Sequence, residues 1–497
     1  MKRGWVAFAF ALVVSAASLD KSWAGTPPDP ADWPTLQHDM QRTGFTATAA
    51  KPPYKIRWVW CNGEGIDRAR TASLAVDKIT SVLPALNTVR LAPHAQPMVR
   101  AGSAYIGSIE GEFFAIDIAN GKTKWKAKAS GSILHSATVA NDAVYVGTLG
   151  GVDAFSLDGK KCWTFEDPDL VGFWSCPAVA EGLVLIGSLG GRFWGLEART
   201  GKARWAYDVG SAIYHSPAVS ENVVYFGAED MRLYALEADT GALRWKSERV
   251  GGTSFWHGWP VIAAKEKTLF ARTHGMGDRG EKAVGGAPDD YEKAQDALQS
   301  WAKAHPQNRT TFALKLEDGR ERFVLEGGSH GFSYNIAPPP IVRLDGSVLM
   351  THYSRHGTFQ KRGKYSTWGD RSEPPIDWSL VDFQQGRFKA LGAPDSAIHP
   401  AEVVRYDDFY QCTMGGDYLY AMQYSRPGGI GMSPIQKNIG PSFDYRLPSS
   451  TEGKSGTVGG YDWIGGVSWT LLPELILAHP YEGWFVVALE NASNRGE

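Results

Sequence analysis

The sequence has only four cysteines, Cys61, Cys162, Cys176 and Cys412, in 497 residues. No two of them are adjacent, and neither CxxC nor CxxCH occurs. This spacing argues against a disulfide framework, a CxxC redox site and attachment of c-type haem. The HxH, HExxH and P-loop patterns are also missing. No short motif of this kind therefore assigns a reaction to the chain.

A second long apolar run is absent as well. Lys2 and Arg3 precede the apolar stretch "GWVAFAFALVVSAAS", and Ser22 and Ala24 supply the small residues of a cleavage site. This pattern predicts a signal peptide over 1–24, a lead-in over 25–54, and export to the periplasm or the outside. No cysteine lies near the cleavage site, which argues against a lipid anchor. After cleavage we expect a monomer without a transmembrane helix.

An excess of one charge is also lacking, since 51 basic residues face 53 acidic ones. A chain this close to neutral does not favour nucleic acid or an anionic membrane surface as its partner. We therefore look for a partner protein, a small molecule or a glycan.

Glycine and tryptophan, in contrast, are abundant, and they recur at a fixed period. Apolar runs end on glycines 40 residues apart, and a tryptophan follows a turn in each unit. Each unit reads as four short strands, which is typical of a propeller blade. The glycines are Gly107, Gly147, Gly187 and Gly227, and the tryptophans are Trp125, Trp163, Trp205 and Trp245.

Weaker copies raise the count to eight, and the last copy lacks its fourth strand. The stretch "KIRWVW" at 55–60 has the shape of "KARWAY", with Trp58 at the position of Trp205. We predict an all-β, eight-bladed propeller over 55–497, with four antiparallel strands in each blade. The N-terminal strand would close the last blade by pairing 55–60 with 484–489, which removes two open sheet edges.

The stretches "AIDIANGKTKW", "GLEARTGKARW" and "ALEADTGALRW" resemble the tryptophan-docking repeat of the quinoprotein (PQQ-type) β-propellers. The first copy matches at Ala115, Asp117, Gly121 and Trp125, although Asn120 stands where the family has threonine. The lead-in "DWPTLQHDMQRTGF" at 32–45 is also similar to the segment that precedes many such propellers. The resemblance implies that the tryptophans pack blade against blade. The tryptophans concerned are Trp58, Trp125, Trp163, Trp205 and Trp245.

Length variation is concentrated at one face of the predicted ring. The insertions 61–94, 274–310, 353–377 and 424–462 all fall in connections that share one face, whereas the turns at the other face are tight. Long loops on a rigid scaffold often carry binding sites. We expect a helix at 289–305 to lie over this face. In the seventh copy we place the innermost strand before a turn at 406–408.

Histidines and aromatic residues cluster at the starts of the innermost strands, which predicts a funnel lined by both types of side chain. Four histidines, His135, His215, His257 and His330, could converge on Zn or Cu. The aromatic rings could stack on a sugar or a quinone. Alternatively, all of these side chains fill the taper of the ring and bind nothing. The funnel candidates are His135, Trp174, His215, Trp256, His257, His330, Tyr334, Arg355 and His399.

The resemblance leaves two hypotheses for function. Its quinone-dependent dehydrogenases hold PQQ and Ca²⁺ with an adjacent cysteine pair, Glu, Asn and a catalytic Asp. The cysteine pair is absent here and the other residues have no clear counterparts, so no catalytic residue is assigned. Non-catalytic members serve as scaffolds. We therefore favour an exported binding or scaffold module that uses its funnel face, with a quinone- or metal-dependent oxidoreductase as the alternative.

Overall fold

A computed structural model describes most of the chain. The described residues are 29, 31–51, 54–66, 71, 88–93, 95–275, 291–325, 339–353, 376–389, 412–416, 418–423, 429–434, 443–445, 467–480, 483 and 485–493. The predicted signal peptide and the funnel candidates His330, Tyr334, Arg355 and His399 lie outside them. The strands of the described residues form eight sheets, antiparallel apart from one short strand, Phe45–Thr46, which confirms the predicted all-β propeller with eight blades. No described helix is long and apolar enough to span a membrane.

Each blade runs from an innermost strand A to an outermost strand D. The strands of blades 1 to 4 are Met98–Arg100, Ser103–Gly107, Glu112–Asp117 and Thr123–Lys128; Thr138–Ala140, Ala143–Thr148, Gly151–Ser156 and Lys161–Phe165; Ala178–Ala180, Leu183–Gly187, Arg192–Glu197 and Ala203–Asp208; Ala218–Ser220, Val223–Ala228, Arg232–Glu237 and Leu243–Lys246. Strands A to C are largely buried because neighbouring blades cover both of their faces. Strand D alternates between half-buried and exposed residues, as in Thr123–Lys128.

The remaining blades follow the same order. Their strands are Val261–Ala263, Thr268–Arg272, Thr311–Lys315 and Glu321–Phe323; Ile341–Val342, Val348–Tyr353, Ile376–Asp382 and Arg387–Lys389; Thr413–Gly415, Tyr418–Gln423, Gly429–Pro434 and Phe443–Tyr445; Val467–Leu471, Leu475–Pro480, Phe485–Asn491 and Tyr54–Cys61. A short strand, Glu64–Gly65, extends blade 8 at its outer edge. The connections from D to A and from B to C share one end of the ring, which we call the looped face.

The glycines with the 40-residue period mark a close approach between blades. A Cβ atom on Gly107 would lie 2.5 Å from Ile133, and one on Gly227 would lie 2.8 Å from Phe255. Ile133 and Phe255 each begin the next blade. The period in the sequence therefore records packing between neighbouring blades.

The tryptophans of strand D hold each blade to the next. Trp125, for example, donates its indole N–H to the carbonyl oxygen of Leu157 at 2.8 Å, and its ring covers Gly159. Four further indoles donate in the same way over 2.8–3.2 Å: Trp58 to Ile118, Trp163 to Ala198, Trp205 to Ala238 and Trp245 to Leu316. The tryptophans thus link six consecutive blades, from blade 8 through blade 1 to blade 5.

The N-terminal strand closes the ring as predicted. Residues Tyr54–Cys61 pair with Phe485–Asn491, and Trp58 lies opposite Ala488. A β-bulge just before Trp58 matches the bulge before Trp125 in blade 1. Blade 8 is therefore built from both ends of the described chain.

The lead-in fills the axis of the ring. Residues 33–50, which we call the N-terminal thread, pass the innermost strands of the blades in order. Six strands A each donate one backbone N–H to a carbonyl of the thread over 2.7–3.0 Å: Val99 to Trp33, Val139 to Pro34, Val219 to Met40, Ile262 to Gln41, Val342 to Thr43 and Met414 to Gly44. In blade 8 the direction reverses, and Ala50 donates to Leu472. The thread thereby pairs the sheet edges that would otherwise face an open channel.

Blade 7 differs from the sequence prediction. The strand that pairs in parallel with Phe45–Thr46 of the thread is Thr413–Gly415, whereas the sequence placed the innermost strand before 406–408, outside the described residues. The predicted insertion 424–462 contains two strands of this blade, Gly429–Pro434 and Phe443–Tyr445. The first of these strands escaped prediction because its glycines and proline weaken the strand signal.

The predicted helix of blade 5 exists, as Tyr291–Ala304. It buries Leu298 and Trp301. Gln299 donates its amide N–H to the carbonyl oxygens of Val324 at 3.0 Å and Gly386 at 2.9 Å. Gly386 belongs to a turn between strands C and D, at the end of the ring opposite the looped face. The helix therefore packs along the outer flank of blades 5 and 6, and its described contacts do not place it over the looped face.

Candidate functional site

The thread gives the looped face a closed floor. Arg42 of the thread is fully buried, and its guanidinium donates to Thr35 Oγ1 at 2.6 Å and to the carbonyl oxygens of Leu36, Pro177 and Pro217 at 3.0–3.2 Å. Pro177 and Pro217 begin the innermost strands of blades 3 and 4. A ligand at the looped face would therefore meet the thread at the bottom of the funnel.

Three half-exposed aromatic rings lie together at this face. Trp174, Tyr214 and Trp256 come from the starts of blades 3, 4 and 5. The ring centroid of Trp174 lies 5.9 Å from that of Tyr214 and 6.1 Å from that of Trp256. The residues before and after each ring are buried, so only these rings of their segments are turned outward; Trp256 lies in a turn closed by the backbone N–H of Gly258, which donates to the carbonyl oxygen of Phe255 at 3.0 Å. We call these three residues the aromatic cluster.

His257 fixes one side of the aromatic cluster. Its imidazole lies 3.9 Å from the Trp256 ring, and the indole N–H of Trp174 donates to its Nδ1 at 3.4 Å. Nε2 of His274 lies 2.8 Å from the carbonyl oxygen of Trp256. The backbone of His257 has a φ of 57°, a left-handed conformation that is costly for a residue with a side chain. Backbone strain of this kind is concentrated at ligand sites.

His135 and His215 are buried and do not belong to the aromatic cluster. Nδ1 of His215 accepts the backbone N–H of Gly227 at 2.9 Å, and its ring packs 4.9 Å from Phe255. Nδ1 of His135 accepts the backbone N–H of Ser136 at 2.9 Å. A neutral imidazole that accepts at Nδ1 carries its proton on Nε2. As folded, neither ring offers a free lone pair to a metal ion.

Burial makes both histidines neutral at physiological pH. It lowers the pKa of His135 to about 3, with a further contribution from the charge of Arg42. Burial alone lowers the pKa of His215 to about 3. The described residues contain no group of three or more His, Cys, Asp or Glu side chains that could hold a metal ion. The fourth predicted ligand, His330, lies outside these residues.

These pKa shifts predict acid sensitivity. In the unfolded chain both histidines bind a proton near pH 6.5, whereas in the folded chain they bind one only near pH 3. Their contribution to the free energy of unfolding is therefore fully present above pH 6.5 and decreases as the pH falls. Each of the two histidines should cost about 2 kcal/mol of folding free energy between pH 7 and pH 5. His215→Asn retains an acceptor for the backbone N–H of Gly227. The variant should lose only about half of the stability that His135 and His215 together lose between about pH 7 and pH 5. Urea unfolding at both pH values measures it, and equal losses in the variant and the wild type would contradict the prediction.

The sequence did not single out Arg42, and it placed Tyr214 and His274 among the funnel side chains only in general terms. A lone arginine in a short stretch that also contains tryptophan, leucine and phenylalanine was the available signal. The role of Arg42 follows only from the fold, in which residues 33–50 cross the axis of the ring.

The resemblance would place an adjacent cysteine pair beside a quinone bound with Ca²⁺. Cys176 is buried toward the thread, with its sulfur 3.3 Å from Thr138 Oγ1 and 3.5 Å from the carbonyl oxygen of Ala137. An adjacent cysteine is absent from the sequence, and Glu229, an acidic side chain beside the aromatic cluster, accepts the backbone N–H of Phe255 at 2.9 Å. We derive no reaction step through such a cofactor.

Comparison with known proteins agrees with the geometry of the ring. Residues 85–171 and 149–290 match the family described as outer membrane protein assembly factor BamB. The outer membrane protein assembly factor BamB of Burkholderia pseudomallei (strain K96243) is 30% identical over 114 residues, which are 22% of this chain and 29% of that protein. The chain thus matches less than a third of the length of this curated relative.

Two solved enzymes share the architecture. The quinohemoprotein alcohol dehydrogenase of Comamonas testosteroni superimposes with a TM-score of 0.54 and 11% identity, and that of Pseudomonas putida HK5 with 0.53 and 12%. Each covers 94% of this chain, and 82% of each enzyme is covered. At such identities the likeness shows the fold alone. The repeats and the docking tryptophans, together with these matches, make the chain a β-propeller protein with PQQ-like repeats.

Proposed function

We propose that the chain is an exported, non-catalytic module that binds a partner protein at its looped face. The aromatic cluster carries this proposal, because half-exposed tryptophan and tyrosine rings on a rigid scaffold are typical anchors of protein interfaces. The match to a family described as an assembly factor supports a protein as the partner. The apolar leader at 1–24 supports export.

The surroundings of the aromatic cluster favour apolar contact over charge pairing. Glu229 already accepts the backbone N–H of Phe255 at 2.9 Å, and Asp169 pairs with Arg192 at 3.1 Å. Farther out on the same face, Leu170 is 82% exposed and Val171 is 43% exposed. Exposed apolar side chains beside an aromatic cluster form the kind of patch that marks an interaction site.

The proposal predicts that Trp174→Ala with Trp256→Ala weakens partner binding at least about 100-fold, as expected for the loss of two anchor residues. A photo-crosslinking amino acid at position 174 in the exported protein would first identify the partner, and the purified pair would then give the affinity. Tyr207, a half-buried aromatic on the outer strand of blade 3, provides the control. Tyr207→Ala should leave binding unchanged. Unchanged binding by the double variant would place the interface elsewhere.

The alternative, a quinone- or metal-dependent oxidoreductase, has a direct test. The protein would be purified after export, analysed for metals, and titrated with PQQ and Ca²⁺. A bound chromophore together with dye-linked alcohol oxidation would show that the protein is an oxidoreductase and would contradict the proposal of a non-catalytic binding module. A glycan or small-molecule ligand would instead appear as saturable binding that the double variant loses without any partner protein.

A further inference from the structure

The thread makes contacts that resemble those of a bound peptide. Between Trp33 and Gly44, its backbone carbonyls accept the six inner-strand N–H groups described above. Beyond Gly44 it adds the short parallel strand Phe45–Thr46 to blade 7. Recognition by strand addition and backbone hydrogen bonds is a common way for proteins to hold a peptide.

One side chain gives this recognition its specificity. Arg42 is fully buried, and its four hydrogen bonds include the carbonyls that begin blades 3 and 4. A buried cation is tolerated only where its donors are satisfied, and the blades supply two of the four acceptors, the carbonyl oxygens of Pro177 and Pro217, while Thr35 and Leu36 of the thread supply the other two. Gln37 adds a second contact, since its backbone N–H donates to the side-chain oxygen of Gln96 at 2.8 Å.

The thread continues into the closing strand of blade 8 through only three residues, 51–53. Lys51 is exposed, and the closing strand of blade 8 begins at Tyr54. We infer that the axial channel is a peptide-binding site, distinct from the looped face, whose occupant is residues 33–50 of this chain and whose main specificity contact is Arg42. The bound segment is held by non-covalent contacts and does not need its covalent link to stay in place. This inference does not depend on the proposed partner binding.

The test uses the full chain with a protease recognition sequence in place of Pro52 and Pro53. After folding, the chain is cut and passed over a gel-filtration column. We expect the cut segment to co-elute with the ring and the thermal unfolding midpoint to stay within about 2 °C. Elution of the free segment, whether the ring survives or collapses, would overturn the inference.

Matched variants of the cuttable chain test the role of Arg42. Arg42→Lys retains the charge but loses the fork, and it should release the cut segment at least about 10-fold faster, as expected for the loss of charge-assisted hydrogen bonds. Thr48 lies on the exposed part of the thread, so Thr48→Ala should release it at the wild-type rate. Equal release from Arg42→Lys and wild type would show that backbone contacts alone hold the segment. If Arg42→Lys fails to fold, a labelled peptide of residues 31–51 and its Arg42→Ala version compete for the cut wild-type ring, and equal competition overturns the assignment.

Discussion

Trp58→Ala is expected to lower the free energy of unfolding by about 3–5 kcal/mol, the range for removing a fully buried tryptophan. Trp58 is 1% exposed, and its indole N–H donates to the carbonyl oxygen of Ile118 at 2.9 Å. Its ring also covers Gly121, so the substitution leaves a cavity where blade 8 meets blade 1. Denaturant unfolding followed by circular dichroism would measure the loss.

The control for this prediction is the same substitution at Trp205, in a blade that does not close the ring. Trp205 makes the equivalent contacts with Ala238 and Gly241 but is only half-buried, so Trp205→Ala should cost less, about 2–3 kcal/mol. Trp58 also holds the strand that closes the ring. A smaller loss for Trp58→Ala than for Trp205→Ala would show that the closing blade is not more dependent on its tryptophan than the others.

Gly241→Ala should destabilise the protein by about 2–5 kcal/mol, because two costs add at this position. Gly241 has a φ of 72°, which is strained for any residue with a side chain. A Cβ atom there would also lie 2.5 Å from the ring of Trp205, so the ring would have to move. The unfolding free energy of the purified variant gives the result.

Gly182→Ala separates the two costs. Gly182 has nearly the same conformation, with a φ of 71°, but no atom lies within 4 Å of the position of a Cβ. Its substitution should cost only the backbone strain, about 1 kcal/mol. If Gly182→Ala is as damaging as Gly241→Ala, the stacking of tryptophan on glycine contributes little to the joint between blades.

The repeat made the ring of blades predictable from the sequence. Where the sequence departs from the repeat, the strands and the candidate site were harder to predict. Gly107 and Trp125 recur because every joint between blades needs the same close approach, so the period alone indicated blades and their closure by 55–60. Blade 7 was misplaced because glycines interrupt its strand Gly429–Pro434. The aromatic cluster was partly predictable, since Trp174 and Trp256 precede innermost strands. His135 and His215, which the sequence groups with the funnel side chains, are buried, because a two-residue period alone does not show which side chains are buried.

The crossing of the axis by the thread also affects when the protein can finish folding. Arg57 and Glu490, which meet in blade 8, are 433 residues apart, and the thread needs the inner strands of blades 1 to 8 before its hydrogen bonds are complete. The N-terminal residues, which are synthesised first, therefore cannot complete their contacts until the C-terminal residues have been synthesised. We expect blades 1 to 4 to gain structure early, because their contacts are local, and the final step to be slow and to involve the whole chain. A chain that stops before residue 485 would leave the closing strand Tyr54–Cys61 without its partner strand and the ring open, and it would be a substrate for proteases rather than a shorter propeller.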